Sequence, residues 1–285
     1  MSGSPLASPS ATLAVLQRHG LYTRKSLGQH FLVDDNVVRR IVDLARIEPT
    51  ACILEIGPGI GTLTLALCEA AGDVVAVERD DKLLPVLAET TASCPNFRIV
   101  HADAVSVPFD TLQSDKGPPT ALVANLPYAV AATVVLRFLG DMSTLSSATV
   151  MVQAEVADRM AAVPGTKSYG AYTVKLGLVS RVAGRFPVSP TCFLPPPRVE
   201  STVIRLERRE RPESPEVLKA AARAAEAAFA QRRKTVRNSL RATLGGEIDV
   251  DRMLASAGID GGVRAETLCV EEFVSLGAQL HAQRL

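Results

Sequence analysis

The chain has 285 residues, 47% hydrophobic and 21% charged, so it can fill a sizeable core and a disordered chain is excluded. A net charge of +1 excludes a protein basic throughout, though not one with a local basic face. Five widely spaced cysteines without a C-x-x-C pair exclude a disulfide framework and a zinc site, and no apolar stretch reaches transmembrane length.

The opening MSGSPLASPS lacks a basic-then-apolar signal pattern, so a cytoplasmic protein is expected. Residues 1–9 read as a loose Ser/Pro/Gly/Ala tail. A helix is predicted from Ser10 to His19, with Ser10 as its N-cap. A mixed basic and apolar segment, Tyr22 to Leu32, comes next. Another helix is predicted over 34–45, because Val37, Val38, Ile41, Val42 and Ala45 fall on one face. Strands are then expected at 51–56, 73–78, 97–101 and 120–125, with helices at 61–71 and 81–92. A Pro/Gly-rich loop spans 113–119. Further helices are predicted near 130–139 and 154–161, and strands near 147–153, 181–187 and 201–207. Short apolar strands alternating with helices imply a mostly parallel sheet covered on both faces. The charged, proline-marked stretch 208–215 reads as a linker. Beyond it the pattern is wholly helical, at 215–230, 233–243, 249–256 and 270–282. The expected organisation is a tail (1–9), an α/β domain (10–210) and a small all-α domain (211–285).

Glu55-Ile56-Gly57-Pro58-Gly59-Ile60-Gly61 joins a predicted strand to a predicted helix start. Glycines there allow positive φ and a close approach of ligand to backbone, as in nucleotide sites at a first strand's carboxyl end. The spacing is not that of a dinucleotide fingerprint, since Thr62 stands where the third small residue belongs. Glu78 closes the second strand, 21 residues after Gly57, where a carboxylate can accept both ribose hydroxyls. Asp103, after the third strand, can accept from an adenine amino group. Asn125-Leu126-Pro127-Tyr128 comes after the fourth strand. An exocyclic adenine amine is a poor nucleophile, because its lone pair is delocalised into the ring. The Asn125 side-chain oxygen and the Leu126 carbonyl can hold both amine hydrogens and favour a tetrahedral nitrogen. Pro127 stiffens the turn and Tyr128 can stack on the base.

The pattern E-x-G-x-G-x-G resembles the cofactor loop of S-adenosylmethionine-dependent methyltransferases. Taken with Lys25-Ser-Leu-Gly-Gln-His-Phe-Leu32, Glu78, Asp103 and Asn125–Tyr128, it resembles the ribosomal RNA adenine dimethyltransferases. Two later motifs, Phe193-Leu-Pro-Pro-Pro-Arg-Val-Glu-Ser201 and Phe229-Ala-Gln-Arg-Arg-Lys-Thr-Val-Arg-Asn-Ser-Leu240, are similar to the KsgA branch, which modifies small-subunit rRNA. The likeness runs from about residue 12 to 282. Two departures stand out. Ala129–Ala132 replaces a more polar run, and His30 stands where many relatives carry Asn.

The resemblance implies a Rossmann-like methyltransferase fold with a seven-stranded sheet and a C-terminal helical domain. It implies that His30 and Leu32 contact S-adenosylmethionine together with Gly57, Gly59, Glu78, Asp103 and Asn125. It also implies that Phe193 faces Tyr128 across an extruded base. The expected reaction dimethylates N6 of two adjacent adenosines in the 3′-terminal hairpin of small-subunit rRNA and leaves S-adenosylhomocysteine. A 30S assembly intermediate is the expected partner, and the expected protein is a monomer without metal or membrane. Arg232, Arg233, Lys234 and Arg237, with Arg241, form a run free of acids from 231 to 242, expected to meet RNA phosphates. Arg24 and Lys25 would extend that field. Competing readings are a large-subunit methyltransferase of the macrolide-resistance class, a non-catalytic ribosome-assembly factor and a nicotinamide dehydrogenase.

Overall fold

A computed structural model describes residues 3–21, 30–246 and 248–283. The segment 22–29, with Arg24 and Lys25, lies outside the described residues. Two compact units divide the chain. One combines residues up to Ala157 with Val182–Arg208, and the other combines Asp158–Arg181 with the chain from Arg209 onward.

The first unit opens with α1 (Pro9–Arg18), β1 (Phe31–Leu32) and α2 (Asp35–Ala45). The N-cap of α1 is Ser8, two residues earlier than predicted: its hydroxyl accepts from the Ala11 amide and Pro9 occupies the first turn. Asp34 caps α2 by accepting from the Asn36 and Val37 amides, at 2.9 and 3.2 Å. Then come β2 (Cys52–Ile56), α3 (Thr62–Ala70), β3 (Asp73–Glu78), α4 (Leu84–Thr90), β4 (Phe97–His101), β5 (Ala121–Asn125), α5 (Ala131–Asp141), β6 (Ser147–Gln153) and α6 (Ala154–Met160). After α7 (Ala171–Val179) the chain returns to the sheet with β7 (Ser180–Val188), β8 (Phe193–Leu194) and β9 (Ser201–Arg208).

Seven strands form one sheet in the order β4-β3-β2-β5-β6-β9-β7. The pairs β2–β3, β3–β4, β2–β5 and β5–β6 are parallel, and β9 runs antiparallel to β6. Every residue of β2 and β3 is buried, as expected of central parallel strands covered on both faces. One face packs Ile53, Val74, Val123, Met151 and Val203 against the apolar stripes of α2 and α3. Arg205 is buried in β9 and donates to the Leu44 and Ala45 carbonyls, satisfying the end of α2. A separate antiparallel pair joins β1 to β8, with Leu32 opposite Phe193.

The order of β3, β2 and β5 matters most for function. Successive strands leave β2 first on one side and then on the other, so a crevice opens at the carboxyl ends of β2 and β5.

The second unit is helical. It holds α7, α8 (Pro215–Phe229), α9 (Val236–Leu244), α10 (Val250–Ser256) and α11 (Val270–Ala282). The alanine face of α8 allows close contact with α11: a Cβ at Gly277 would lie 2.5 Å from the Ala221 amide nitrogen. Residues 158–181, expected in the α/β domain, belong instead to this helical unit, while the later division falls at 208/209, beside the expected 210/211. Tyr169 and Val174 pack in the core built by α8, α9 and α11, and Leu178 packs with Ala221 and Val274. The sequence Ala171–Val179 has almost no polar face, so its helical period was not visible.

Candidate active site

Of the expected cofactor residues, Gly57, Gly59, Glu78, Asp103 and Asn125 come from strand ends, or the turns after them, on one edge of the sheet. Gly57 leaves β2 with φ +69° and its amide donates to the Val77 carbonyl at 2.9 Å. Gly59 has φ +64°, and Gly61, at φ +90°, is the N-cap of α3. A Cβ built on Gly57 would sit 3.3 Å from Pro127 Cδ and Cγ, so the glycine loop faces the 125–128 turn directly.

Glu78 ends β3 and is 7% exposed. Its Oε1 accepts from the Arg79 and Asp80 amides, both at 2.8 Å. Burial pushes its pKa up, while the amides of Asp80, Arg79 and Gly59 favour the carboxylate. Asp103 lies just beyond β4. Its Oδ1 accepts from the Val105 amide at 2.9 Å, and its Oδ2 lies 3.2 Å from Arg79 Nη1. Arg79 is thus a neighbour of Asp103 that motif reading did not single out.

Asn125 ends β5. Its Nδ2 donates to the His30 carbonyl at 3.5 Å, which turns Oδ1 away from that backbone. The Leu126 amide donates to the Met151 carbonyl at 3.1 Å and the Val130 amide to the Pro127 carbonyl, also at 3.1 Å. The turn is therefore anchored at both ends. Tyr128 is fixed by a 2.7 Å bond between its hydroxyl and Ser201 Oγ, and burial raises its pKa.

His30 directly precedes β1, and Phe193 begins β8, the strand paired with it. The His30 ring stacks on Tyr128, with centroids 5.9 Å apart and planes at 28°. Its Nδ1 lies 2.7 Å from the Pro195 carbonyl and donates to it, tying this residue to the proline loop. Phe193 is 3% exposed and packs in the apolar cluster with Leu32, Val37 and Val203. Among the described residues, His30 rather than Phe193 is the ring placed against Tyr128. Leu32 is also buried in that cluster.

Glu55 opens the glycine motif, but sequence reasoning gave it no role of its own. It is 1% exposed at the tip of β2, and the Thr64 hydroxyl donates to its Oε2 at 2.7 Å. Burial pushes its pKa to about 8, so at neutral pH it is a protonated, uncharged support under the glycine loop.

The candidate RNA residues lie in the helical unit. Arg232, Arg233, Lys234 and Arg237 are all exposed. The run free of acids in sequence is not free of them in space: Asp251 on α10 pairs with Arg237 at 3.2 Å and with Arg241. Arg232 donates to the Lys167 carbonyl at 3.1 Å. Ser239 is fully buried and bonds the Ala227 carbonyl, so it does not belong to an exposed face. Among the described residues, no group of three or more His, Cys, Asp or Glu side chains could hold a metal, and no helix is long and apolar enough to cross a membrane.

Residues 20–281 match the family model described as ribosomal RNA adenine dimethylase. The chain is 40% identical to a ribosomal RNA small subunit methyltransferase A of Alkaliphilus metalliredigens, over 98% of this chain and 99% of the relative. It is 42% identical to the protein of the same name from Magnetococcus marinus, over 92% and 93% of the two chains. Among solved structures it resembles a dimethyladenosine transferase from Plasmodium falciparum, with a TM-score of 0.77 at 21% identity over 90% and 99% of the chains. It also resembles the 23S rRNA methyltransferase ErmE, with a TM-score of 0.65 at 27% identity over 88% and 99%.

Proposed function

The chain belongs to the ribosomal RNA adenine dimethylase family, and we propose from that premise that it acts on small-subunit rRNA, at N6 of two adjacent adenosines in the 3′-terminal hairpin. It is an S-adenosylmethionine-dependent enzyme that dimethylates adenine in ribosomal RNA. The small-subunit assignment is supported by relatives about 40% identical over nearly the whole chain, against 27% for the large-subunit enzyme.

One observation carries the site reading: the glycine loop and the Asn125–Tyr128 turn touch, with Gly57 facing Pro127. Donor and acceptor sites built on those two segments would then share one crevice. The cradle fits the cofactor, because Gly57, at φ +69° and with no room for a Cβ beside Pro127, leaves the backbone of the turn bare, and Glu78 offers a buried carboxylate already oriented by two amides. On this reading Glu78 holds the ribose, Asp103 the adenine amino group, and Gly57, Gly59, Asn125 and the backbone of His30 and Leu32 the rest. S-adenosylmethionine supplies a methyl group on a positively charged sulfur, an already activated leaving group.

The protein's part is positioning. Asn125 Oδ1 and the Leu126 carbonyl take the two hydrogens of the target amine and direct its lone pair. Tyr128, held by Ser201, supplies a stacking face, and Phe193 supports the crevice from the core. Orientation of this kind is worth roughly 7–11 kcal/mol of barrier. The methylated ammonium is acidic enough to lose its proton to water, and exchange of the spent cofactor permits the second transfer. The enzyme is proposed to work in the cytoplasm as a monomer, on naked rRNA or a 30S assembly intermediate.

The test is transfer of labelled methyl groups to small-subunit particles lacking the modification, with mapping of the nucleotides. Two methyls on each of two adjacent adenosines are expected. Label on large-subunit rRNA would refute the substrate assignment, and cofactor binding without transfer would favour the assembly-factor reading.

Arg232, Arg233 and Lys234 are the cations we assign to phosphate contact, with a smaller share for Arg237 because Asp251 already pairs with it. Neutralising the three is expected to weaken rRNA binding and flatten its salt dependence, by about 0.7–0.9 log units per lost contact. Filter binding across a salt series measures the slope. An unchanged slope would mean these charges only face solvent.

A further inference from the structure

We propose that Arg137, which no motif reading singled out, is a positioning residue that holds Asp103 for the cofactor's adenine and so helps select an amino-bearing base. The proposal rests on the reading of Asp103 as the acceptor for that amino group.

Residues 103–107 form one closed turn. The Asp103 carbonyl accepts from the Ser106 amide at 3.0 Å and the Val107 amide at 2.9 Å, and its carboxylate accepts from Val105. With the Val105, Ser106 and Val107 amides satisfied from inside, the Ala104 and Val107 carbonyls are free to accept from elsewhere. Arg137, on α5, bridges both: Nη1 donates to Ala104 O at 3.0 Å and Nη2 to Val107 O at 2.5 Å. The guanidinium also lies 4.3 Å from the centre of the Phe109 ring and 5.1 Å from that of Phe138. A planar fork held by two carbonyls and stacked on a ring has little freedom, so the turn it grips is fixed too.

The connection reaches further through the chain. Helix α5 begins three residues after Tyr128. One rigid element therefore carries the turn that would orient the target amine and the guanidinium that locates the adenine acceptor. A packing role alone would predict lower stability without any change in base preference. A positioning role predicts that the preference itself changes.

The experiment compares binding of S-adenosylhomocysteine and S-inosylhomocysteine, whose base bears a carbonyl instead of the 6-amino group, by titration calorimetry. Arg137→Lys and Arg137→Leu are expected to weaken the adenosine compound about 3- to 10-fold, the scale of one or two hydrogen bonds. Binding of the inosine compound should stay within about twofold of wild type. The Asp103→Ala variant should itself narrow the preference, and adding Arg137→Lys to it should change neither affinity further. Equal weakening of both compounds, or no weakening, overturns the role of Arg137. If Asp103→Ala leaves the preference intact, the reading of Asp103 fails first and takes the proposal with it. If Arg137→Leu does not fold, Arg137→Lys decides alone, because it keeps a cation over the Phe109 ring.

Discussion

Replacing Asn125 with alanine is expected to lower kcat about 100- to 1,000-fold, the range for removing one preorganised polar partner of a reacting group. Rigidity is the reason for so large an effect. Asn125 is the last residue of β5, its Nδ2 points to the His30 carbonyl, and the residues after it are pinned by the Leu126–Met151 and Val130–Pro127 bonds. The side-chain oxygen is thus aimed before substrate arrives. Its loss would leave the Leu126 carbonyl to hold the amine alone, with one hydrogen free and the lone pair still conjugated. Affinity for rRNA should stay within about threefold, because phosphate contacts rather than the turn dominate binding. Single-turnover methyl transfer and filter binding on the same preparation separate the two quantities. Turnover near wild type would remove Asn125 from the chemistry.

Much of this arrangement was legible because parallel strands announce themselves as short β-branched runs, and the residues at the carboxyl end of each run lie at the ligand edge. Glu78, Asp103 and Asn125 could be assigned to one crevice on that basis alone, and the sheet order β3-β2-β5 agrees with it. Three kinds of feature were illegible. Elements without a period left no trace: β1 and β8 are two residues each, and α7 is apolar on nearly every side. Partners distant in sequence were invisible, so the run 232–241 looked unopposed although Asp251 meets two of its arginines. Finally, identity does not reveal orientation. Phe193 packs in the apolar cluster with Leu32, and it is the His30 ring that stacks on Tyr128, a contact that residue types alone do not show. Arg137 carried a weak signal of its own, as the lone basic residue in a mostly apolar helix.

Replacing Glu78 should separate stability from binding, and that separation is what would mark it as a ligand residue. The side chain is 7% exposed at the end of β3, a poor place for a charge unless something requires one. Burial raises its pKa above that of an ordinary carboxylate. A group whose pKa is higher folded than unfolded stabilises the fold below its unfolded value, and that stability is lost as pH rises through the folded value. At neutral pH and above, the native protein therefore carries a penalty for ionised Glu78. Glu78→Gln removes the charge but keeps an oxygen for the Arg79 and Asp80 amides, so its thermal unfolding temperature should equal or exceed that of wild type near pH 8. Cofactor binding should move the opposite way. Two hydroxyl bonds to a carboxylate are worth about 1.5–3 kcal/mol each, so Glu78→Ala should weaken S-adenosylhomocysteine at least about 100-fold and Glu78→Gln about tenfold. The wild-type affinity should also fall as pH drops toward the raised pKa, beginning at a higher pH than an ordinary carboxylate would impose, and Glu78→Gln should abolish that dependence. Calorimetric titrations between about pH 8 and about pH 5 would show it. A glutamine variant that binds as tightly as wild type at every pH would leave the buried carboxylate without the ribose as its reason.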